Sequence, residues 1–294
     1  MNIIIHRGTH QIGGSAIEIS TKSTRIMLDF GNELSLDEKY IPENLDIEGV
    51  TAGVPNCDGI VISHYHMDHL GQLTSALPEI PLYMGDLSKE VAMIATEHQD
   101  KDLYLRLLDA NTFRGGEAFT IGNIHIRPLV IDHSAVDSYM FVIESEGKRV
   151  LYTGDFRMHG VRGHVLEKLI RTYIGDVDVL ITEGTSLSRN AHDGISEREV
   201  LDDISSYIQD GKYVFVMCSS TNIDRIMGIW HNMPTDKVLI CDAYQKRILD
   251  TVIDNVYYDS SLYRRHDSPL VLDIGAYPKY YMDHGFVSLV RGTE

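Results

Sequence analysis

The sequence predicts an α/β protein in two parts, and three observations carry that prediction. Short apolar runs separated by glycine turns fill residues 1–190, whereas strand and helix patterns alternate over residues 195–294. A dense group of histidines and one aspartate, residues 64–69, directly follows one of the apolar runs.

In the first part, residues 2–6, 16–20, 25–30, 59–63, 81–84, 124–130, 138–143 and 149–153 read as strands, many of them rich in Ile, Val and Tyr. Gly13-Gly14, Gly31-Asn32, Gly115-Gly116, Gly122-Asn123 and Glu146-Gly147 lie between these runs, as hairpin and loop chemistry requires. Helical periodicity over residues 87–98, 101–110 and 164–174 adds three helices.

The second part opens on a capping box, Ser196 followed three positions later by Glu199, with Val200, Ile204 and Ile208 along one helix face. A strand at 213–217, a helix at 222–231, a strand at 237–241 and a helix at 243–253 follow. Such alternation implies a parallel sheet with helical crossovers. The polar stretch 188–194 reads as the linker between domains 1–190 and 195–294.

With 294 residues, 43% of them hydrophobic, the chain can bury a substantial core. No stretch approaches the roughly 20 apolar residues of a membrane span, and the apolar part of residues 1–7 is too short for a secretory signal, so a cytoplasmic protein without membrane contact is expected. Three cysteines without CxxC spacing signal neither a disulfide framework nor a zinc finger. The net charge of −17 argues against a broad basic surface for nucleic acid.

The chemistry concentrates in Ser63-His64-Tyr65-His66-Met67-Asp68-His69, after the apolar Gly59-Ile60-Val61-Ile62. A lone histidine is more often a solvated loop residue, but three imidazoles and a carboxylate in six positions form a ligand set. If the chain leaves the strand extended, its two-residue period puts His64 and His66 on one side, able to share a metal. Asp68 and His69, where a helix is expected to begin, then turn toward a second position. Imidazole nitrogen and carboxylate oxygen suit zinc, and manganese or iron as well. Two metals need further ligands, and His133 and Asp155 each follow a predicted strand, the latter after a glycine that permits a tight turn.

These residues resemble the HxHxDH signature of the metallo-β-lactamase superfamily, with Asp29 in Leu28-Asp29-Phe30-Gly31 similar to its first motif and His133 and Asp155 to its third and fourth. The resemblance implies a four-layer αββα sandwich, incomplete here, with the site at one edge of its two sheets. It further implies that His64, His66 and His133 hold one metal, that Asp68 and His69 hold another, and that Asp155 bridges them. Asp29 would brace the motif loop without binding metal, in line with the need of a ligating imidazole for an acceptor at its other nitrogen.

The fold alone does not choose the substrate. Thr9-His10-Gln11-Ile12-Gly13-Gly14-Ser15, with residues 26–31, resembles the opening of the β-CASP nucleases, and Glu183 in Ile181-Thr182-Glu183-Gly184-Thr185 resembles their motif A. The resemblance gives Glu183 a place in the catalytic machinery near the metals, orienting a ligand histidine. Residues 211–220 resemble the first strand of the β-CASP cap, making 195–294 a partial α/β cap domain. The setting of His284, the last histidine of the chain, differs from the Ser-Gly-His pattern of that branch, so no role transfers to it, and a fragment of a longer enzyme is expected.

The reading that follows is a metal-dependent ribonuclease or phosphodiesterase. Two divalent cations, zinc first, would lower the pKa of a shared water and generate the hydroxide that attacks phosphorus, with Asp68 and Glu183 completing the catalytic set. Paired cations also attract phosphate locally in an acidic protein. RNA or another phosphodiester is the expected partner, and a homo-oligomer stays open. Two other readings stay open as well: a small-molecule hydrolase acting on a thioester or lactone, and a non-catalytic metal-binding fragment that works through a partner.

Overall fold

A computed structural model describes residues 1–34, 43–185, 187, 195–234, 236–258, 261–263, 270–271 and 278–291. The expected linker at 188–194 lies outside the described residues. Contacts divide the chain into two compact units. The first comprises Met1–His133, Asp137–Met158 and Arg162–Asn190, and the second Ala191–Glu294 with the short stretches Ser134–Val136 and His159–Val161.

The first unit holds two sheets. One contains β1 (Asn2–Arg7), β2 (Ala16–Ser20), β3 (Arg25–Leu28), β4 (Gly59–Val61), β5 (Leu82–Gly85) and β6 (Asn111–Phe113) in sequential order. Its first three strands are antiparallel, and β3 to β6 are parallel. The other sheet contains β7 (Phe119–Ile121), β8 (Ile124–Ile131), β9 (Ser138–Ser145), β10 (Lys148–Tyr152) and β11 (Val179–Ile181), ordered β11-β10-β9-β8-β7. An antiparallel meander runs from β7 to β10, and β11 adds parallel to β10.

Burial shows how these sheets form layers. Ile17, Ile19, Leu28 and Val61 from the first sheet meet Ile124, Ile126, Phe141, Ile143 and Tyr152 from the second in one apolar cluster. On the far side of the second sheet, Leu129, Ile131, Met140, Val142 and Leu151 pack with Leu166 and Ile174 of the following helical segment. Strand β9 is therefore buried along nearly its whole length on both faces, which is why its sequence is a continuous apolar run without alternation. The first sheet is covered by α2 (Asp86–Thr96), which touches β5 and β6 and pairs with α3 (Lys101–Leu108). Helix, sheet, sheet and helix make the predicted αββα sandwich.

The short helix α1 (Met67–Leu70) carries part of the motif loop. The helix expected over 164–174 is broken: a 3₁₀ turn at Gly163–Val165 leads into α4 (Leu166–Leu169), and a π turn at Ile170–Ile174 ends on Gly175 at φ +64°. Strands β6 and β7, at three residues each, carry too few alternating positions to stand out in the sequence.

The second unit contains α5 (Glu197–Asp210), β12 (Tyr213–Met217), α6 (Ile223–Asn232), β13 (Val238–Cys241), α7 (Ala243–Asn255), β14 (Leu270–Val271), α8 (Pro278–His284) and β15 (Phe286–Val290). Helix α5 starts at the predicted capping box, in which Ser196 Oγ accepts from Glu199 N and Glu199 Oε2 accepts from Ser196 N. The four strands form an all-parallel sheet ordered β12-β15-β13-β14. The late strand β15, not foreseen from the sequence, lies between β12 and β13 and pairs with both.

Candidate metal centre

Strand β4 delivers the motif loop at one end of the sandwich. His64 leaves the strand buried, His66 follows with extended backbone (φ −71°, ψ 147°), and Asp68 and His69 fall within α1. The loop is clamped by the segment after β3 and the residue before β2: Phe30 N donates to His69 O at 2.7 Å, Asn32 N to Met67 O at 2.9 Å, and Ser15 N to Asp68 O at 3.1 Å. Gly31 permits this approach, because a Cβ there would lie 1.6 Å from the Asp68 carbonyl oxygen. Gly154 fills the matching role before Asp155, with φ +53° against Tyr139 and Ser63.

Five of the predicted ligand residues converge. His66 Nδ1 is 3.1 Å from His64 Nε2 and 3.1 Å from His133 Nε2. His69 Nε2 is 3.2 Å from Asp155 Oδ1, while Asp155 Oδ2 is 4.0 Å from His133 Nε2. Among the described residues two sets of mutually close donor atoms result, His64/His66/His133 and His64/His69/Asp155. Asp68 stands one step out, its Oδ2 3.7 Å from His69 Nε2 and outside both tight sets.

Behind this group lies Asp29, fully buried at φ +55°. Its Oδ1 accepts from Ser63 N at 2.7 Å. Its Oδ2 accepts from Ser63 Oγ at 2.7 Å, His69 Nδ1 at 2.7 Å and Tyr152 OH at 2.5 Å. Because a carboxylate only accepts, His69 carries a proton on Nδ1 whether it is neutral or charged, and Nε2, which faces Asp155 and Asp68, is the nitrogen whose proton a cation would replace. Ser63 and Tyr152 are site residues that sequence reading missed. Ser63 lies within the quoted motif segment, where a hydroxyl beside a predicted ligand histidine is the signal that could have flagged it, whereas Tyr152 lies in the predicted strand 149–153 with no such signal.

Burial also sets the protonation states. It pushes the His64 imidazole well below its usual pKa, with the neighbouring imidazoles adding to the effect. His66 is pushed down to about 4 and His133 to about 3, again chiefly by burial. Burial opposes charge on His69 too, but the Asp29 and Asp155 carboxylates outweigh it and hold that imidazole well above its usual value. Burial likewise opposes the Asp155 carboxylate, yet hydrogen bonding to His69 keeps its pKa lowered, whereas burial leaves the Asp68 carboxyl raised.

The donor set fits divalent cations. Three imidazole nitrogens converge, His66 Nδ1 facing both His64 Nε2 and His133 Nε2, and burial favours the neutral form of each ring, which is the form that ligates a cation. Their 3.1 Å separations are close to the roughly 3.3 Å edge of a tetrahedron with 2.0–2.1 Å zinc–nitrogen bonds. One Asp155 oxygen faces each set, as a bridging carboxylate would.

Glu183 lies against the loop that carries Asp155. Its Oε1 accepts from Phe156 N at 2.9 Å, so the bond the structure gives it goes to the backbone after Asp155 and not to a ligand histidine. Strand β11, which Glu183 follows, is thereby tied to the Asp155 loop. His284, at the end of α8, bonds through Nδ1 to Tyr280 O at 2.9 Å and stacks on the Tyr280 ring.

A two-sheet sandwich with imidazoles and carboxylates gathered at one end defines the class, and the chain belongs to the metallo-β-lactamase superfamily: the family described as "Beta-lactamase superfamily domain" matches residues 25–205. Curated relatives include an "RNase J-like protein" from Methanocaldococcus jannaschii, 28% identical over 72% of this chain and 49% of its own length. "Ribonuclease J 2" from Streptococcus pyogenes is 26% identical over 76% of this chain and 41% of its own length. "Endoribonuclease YSH1" from Gibberella zeae is 25% identical over 88% and 32%, respectively. Within the superfamily this similarity falls in the β-CASP ribonuclease branch. The chain spans about half or less of the length of these relatives. A crystal structure of a protein of unknown function from Enterococcus faecalis V583 shares the fold, with a TM-score of 0.79 at 17% identity over 99% of this chain and 77% of that one.

Proposed function

We propose that this chain cleaves phosphodiester bonds of RNA with two divalent cations, zinc in the first instance. The observation that carries the reading is the Asp155 carboxylate, one oxygen toward His69 and the other toward His133, between two imidazole-rich donor sets. His64, His66 and His133 would hold one cation, Asp68 and His69 the other, with Asp155 within reach of both. Such cations supply Lewis acidity, which brings the pKa of water toward neutrality and offsets charge on phosphoryl oxygens.

The remaining work falls to the chain itself. Asp29 fixes the tautomer of His69 and, through Ser63 and Tyr152, the position of the loop. Asp68, which stands beside His69 and outside both tight donor sets, is placed to accept a proton from water at the site. Glu183 keeps Asp155 in register through Phe156 N. The ribonuclease names of the relatives support RNA as substrate, and three free cysteines with no disulfide among them support a cytoplasmic location. Among the described residues no helix is long and apolar enough to cross a membrane.

The test uses protein stripped with chelator, reloaded with Zn²⁺ or Mn²⁺, and offered 5′-monophosphorylated RNA, bis-p-nitrophenyl phosphate and a thioester panel. Turnover of the phosphodiesters alone is expected, falling by about 10²–10⁴ in Asp68→Ala with the fold retained. Thioester turnover alone would point to the small-molecule reading. Two cations per chain without any turnover would point to a non-catalytic metal-binding role.

A further inference from the structure

His133 and Asp155 do not sit on neighbouring strands. His133 follows β8 and Asp155 follows β10, and the sheet order places β9 between them. At the usual strand spacing of about 4.8 Å, the two exits are separated by about 9–10 Å, and no ladder bond joins β8 to β10. The two side chains nevertheless approach to 4.0 Å. Something outside the ladder has to set that approach, since a displacement of about 1 Å would spoil a shared ligand position.

Among the described residues, Asp132 and Arg157 tie the two exits directly. Asp132, the residue before His133, accepts through its backbone oxygen from Arg157 N at 2.9 Å and through Oδ1 from Arg157 Nε at 2.7 Å. Its Oδ2 accepts from Arg162 N. Asp132 keeps only 2% of its side chain exposed and Arg157 12%, so the pair is shielded from the screening that makes surface ion pairs weak. Arg157 lies two residues beyond Asp155, and the pair thus fastens the backbone just before His133 to the backbone just past Asp155.

We propose that Asp132 and Arg157 are a positioning pair that spans β9 and fixes the distance between His133 and Asp155, so that the two cation positions bind as one unit. This rests on the reading of the site as a two-cation centre. Neither residue touches a cation or substrate; each acts through the ligand next to it in the chain. Glu183 secures the Asp155 loop from the other side, toward β11, and the loop is held from both flanks.

The experiment is a Co²⁺ titration of the metal-stripped full chain, read by visible absorption and by thermal midpoint, for wild type, Asp132→Asn, Arg157→Gln and Arg157→Lys. Expected are 10–100-fold weaker Co²⁺ binding in Asp132→Asn and Arg157→Gln, the range for residues supporting metal ligands, with altered d–d bands and partial recovery in Arg157→Lys. A purely structural pair would lower the thermal midpoint and leave Co²⁺ affinity and spectrum as in wild type, and that result overturns the proposal while the two-cation reading stands. Wild type that takes up no Co²⁺ overturns both. Where a single variant does not fold, Asp132→Asn combined with Arg157→Met, which leaves no buried charge unpaired, is titrated against the same outcomes.

Discussion

Replacing Asp29 by Asn is the most informative perturbation of this centre, because size and backbone preference are kept while the chemistry inverts. Asn tolerates the left-handed φ of +55° as well as Asp does. With the amide oxygen kept where Ser63 N donates, the amide nitrogen meets three donors: Ser63 Oγ, His69 Nδ1 and Tyr152 OH. The two hydroxyls can rotate and accept instead. His69 can accept only by moving its proton to Nε2, which then points at Asp155 Oδ1, 3.2 Å away, and removes the lone pair a cation needs.

Two effects follow from that inversion. Breaking a buried charged interaction by changing one partner costs about 3–5 kcal/mol in the cation-free protein. Losing the acceptor behind a ligating imidazole lowers cation affinity by about 10–100-fold. The sign of the pH dependence follows from His69, whose imidazole is held above its usual pKa in the fold. Its stabilisation is complete below about pH 6.5 and fades as pH rises through the folded value, so the stability gap between wild type and variant narrows in the same direction. Zn²⁺ competition against a chromophoric chelator reads affinity, and imidazole ¹⁵N shifts read the tautomer. An Asp29→Asn variant with the Nδ1–H tautomer and Zn²⁺ affinity within about twofold of wild type would refute the reasoning.

Two further predictions concern packing and thiol reactivity. Gly31→Ala pushes a methyl into the Asp68 backbone, where nothing can rotate away, and should cost about 3 kcal/mol or more, or roughly 6–12 °C in thermal midpoint; Gly116→Ala, which meets nothing within 4 Å, should lose only about 1–2 kcal/mol from its φ of +86°. Equal midpoints for the two variants would disprove the close approach. Burial raises the Cys57 thiol to about 11 and, reinforced by Asp242, the Cys241 thiol to about 12. At pH 8 both should alkylate at least about 100-fold more slowly than a free cysteine and speed up as pH rises, which mass spectrometry after timed iodoacetamide quenching would show; labelling at the free-thiol rate at pH 8 would contradict it.

The candidate site was legible because its imidazoles and carboxylates arrive as a local pattern, with His64, His66, Asp68 and His69 in six positions and His133 and Asp155 each at a strand exit. What the pattern could not supply was the partner of each group. Tyr152 reads as one more apolar strand residue, and only the stacking of two sheets brings its hydroxyl to Asp29. Glu183 is an acidic residue after a strand on any reading, and its hydrogen bond goes to a backbone N–H, which leaves no trace in residue type. The π turn at Ile170–Ile174 escaped because one extra residue per turn scarcely alters an apolar pattern over so short a stretch. Strand β15 was missed for a topological reason, since neither of its neighbours, β12 and β13, adjoins it in sequence.

That placement of β15 bears on how the polypeptide is made. A ribosome releases β12 and β13 long before residues 286–290, yet these two strands are not partners of each other in the finished sheet. Until the last of them emerges, both must wait with open edges, and early pairing between them would be a trap. Closure of this sheet therefore waits for residues 286–290 to emerge. Nicking or deleting only residues 286–290 should split the sheet down its middle and expose the nascent product to aggregation, without trimming a mere fringe.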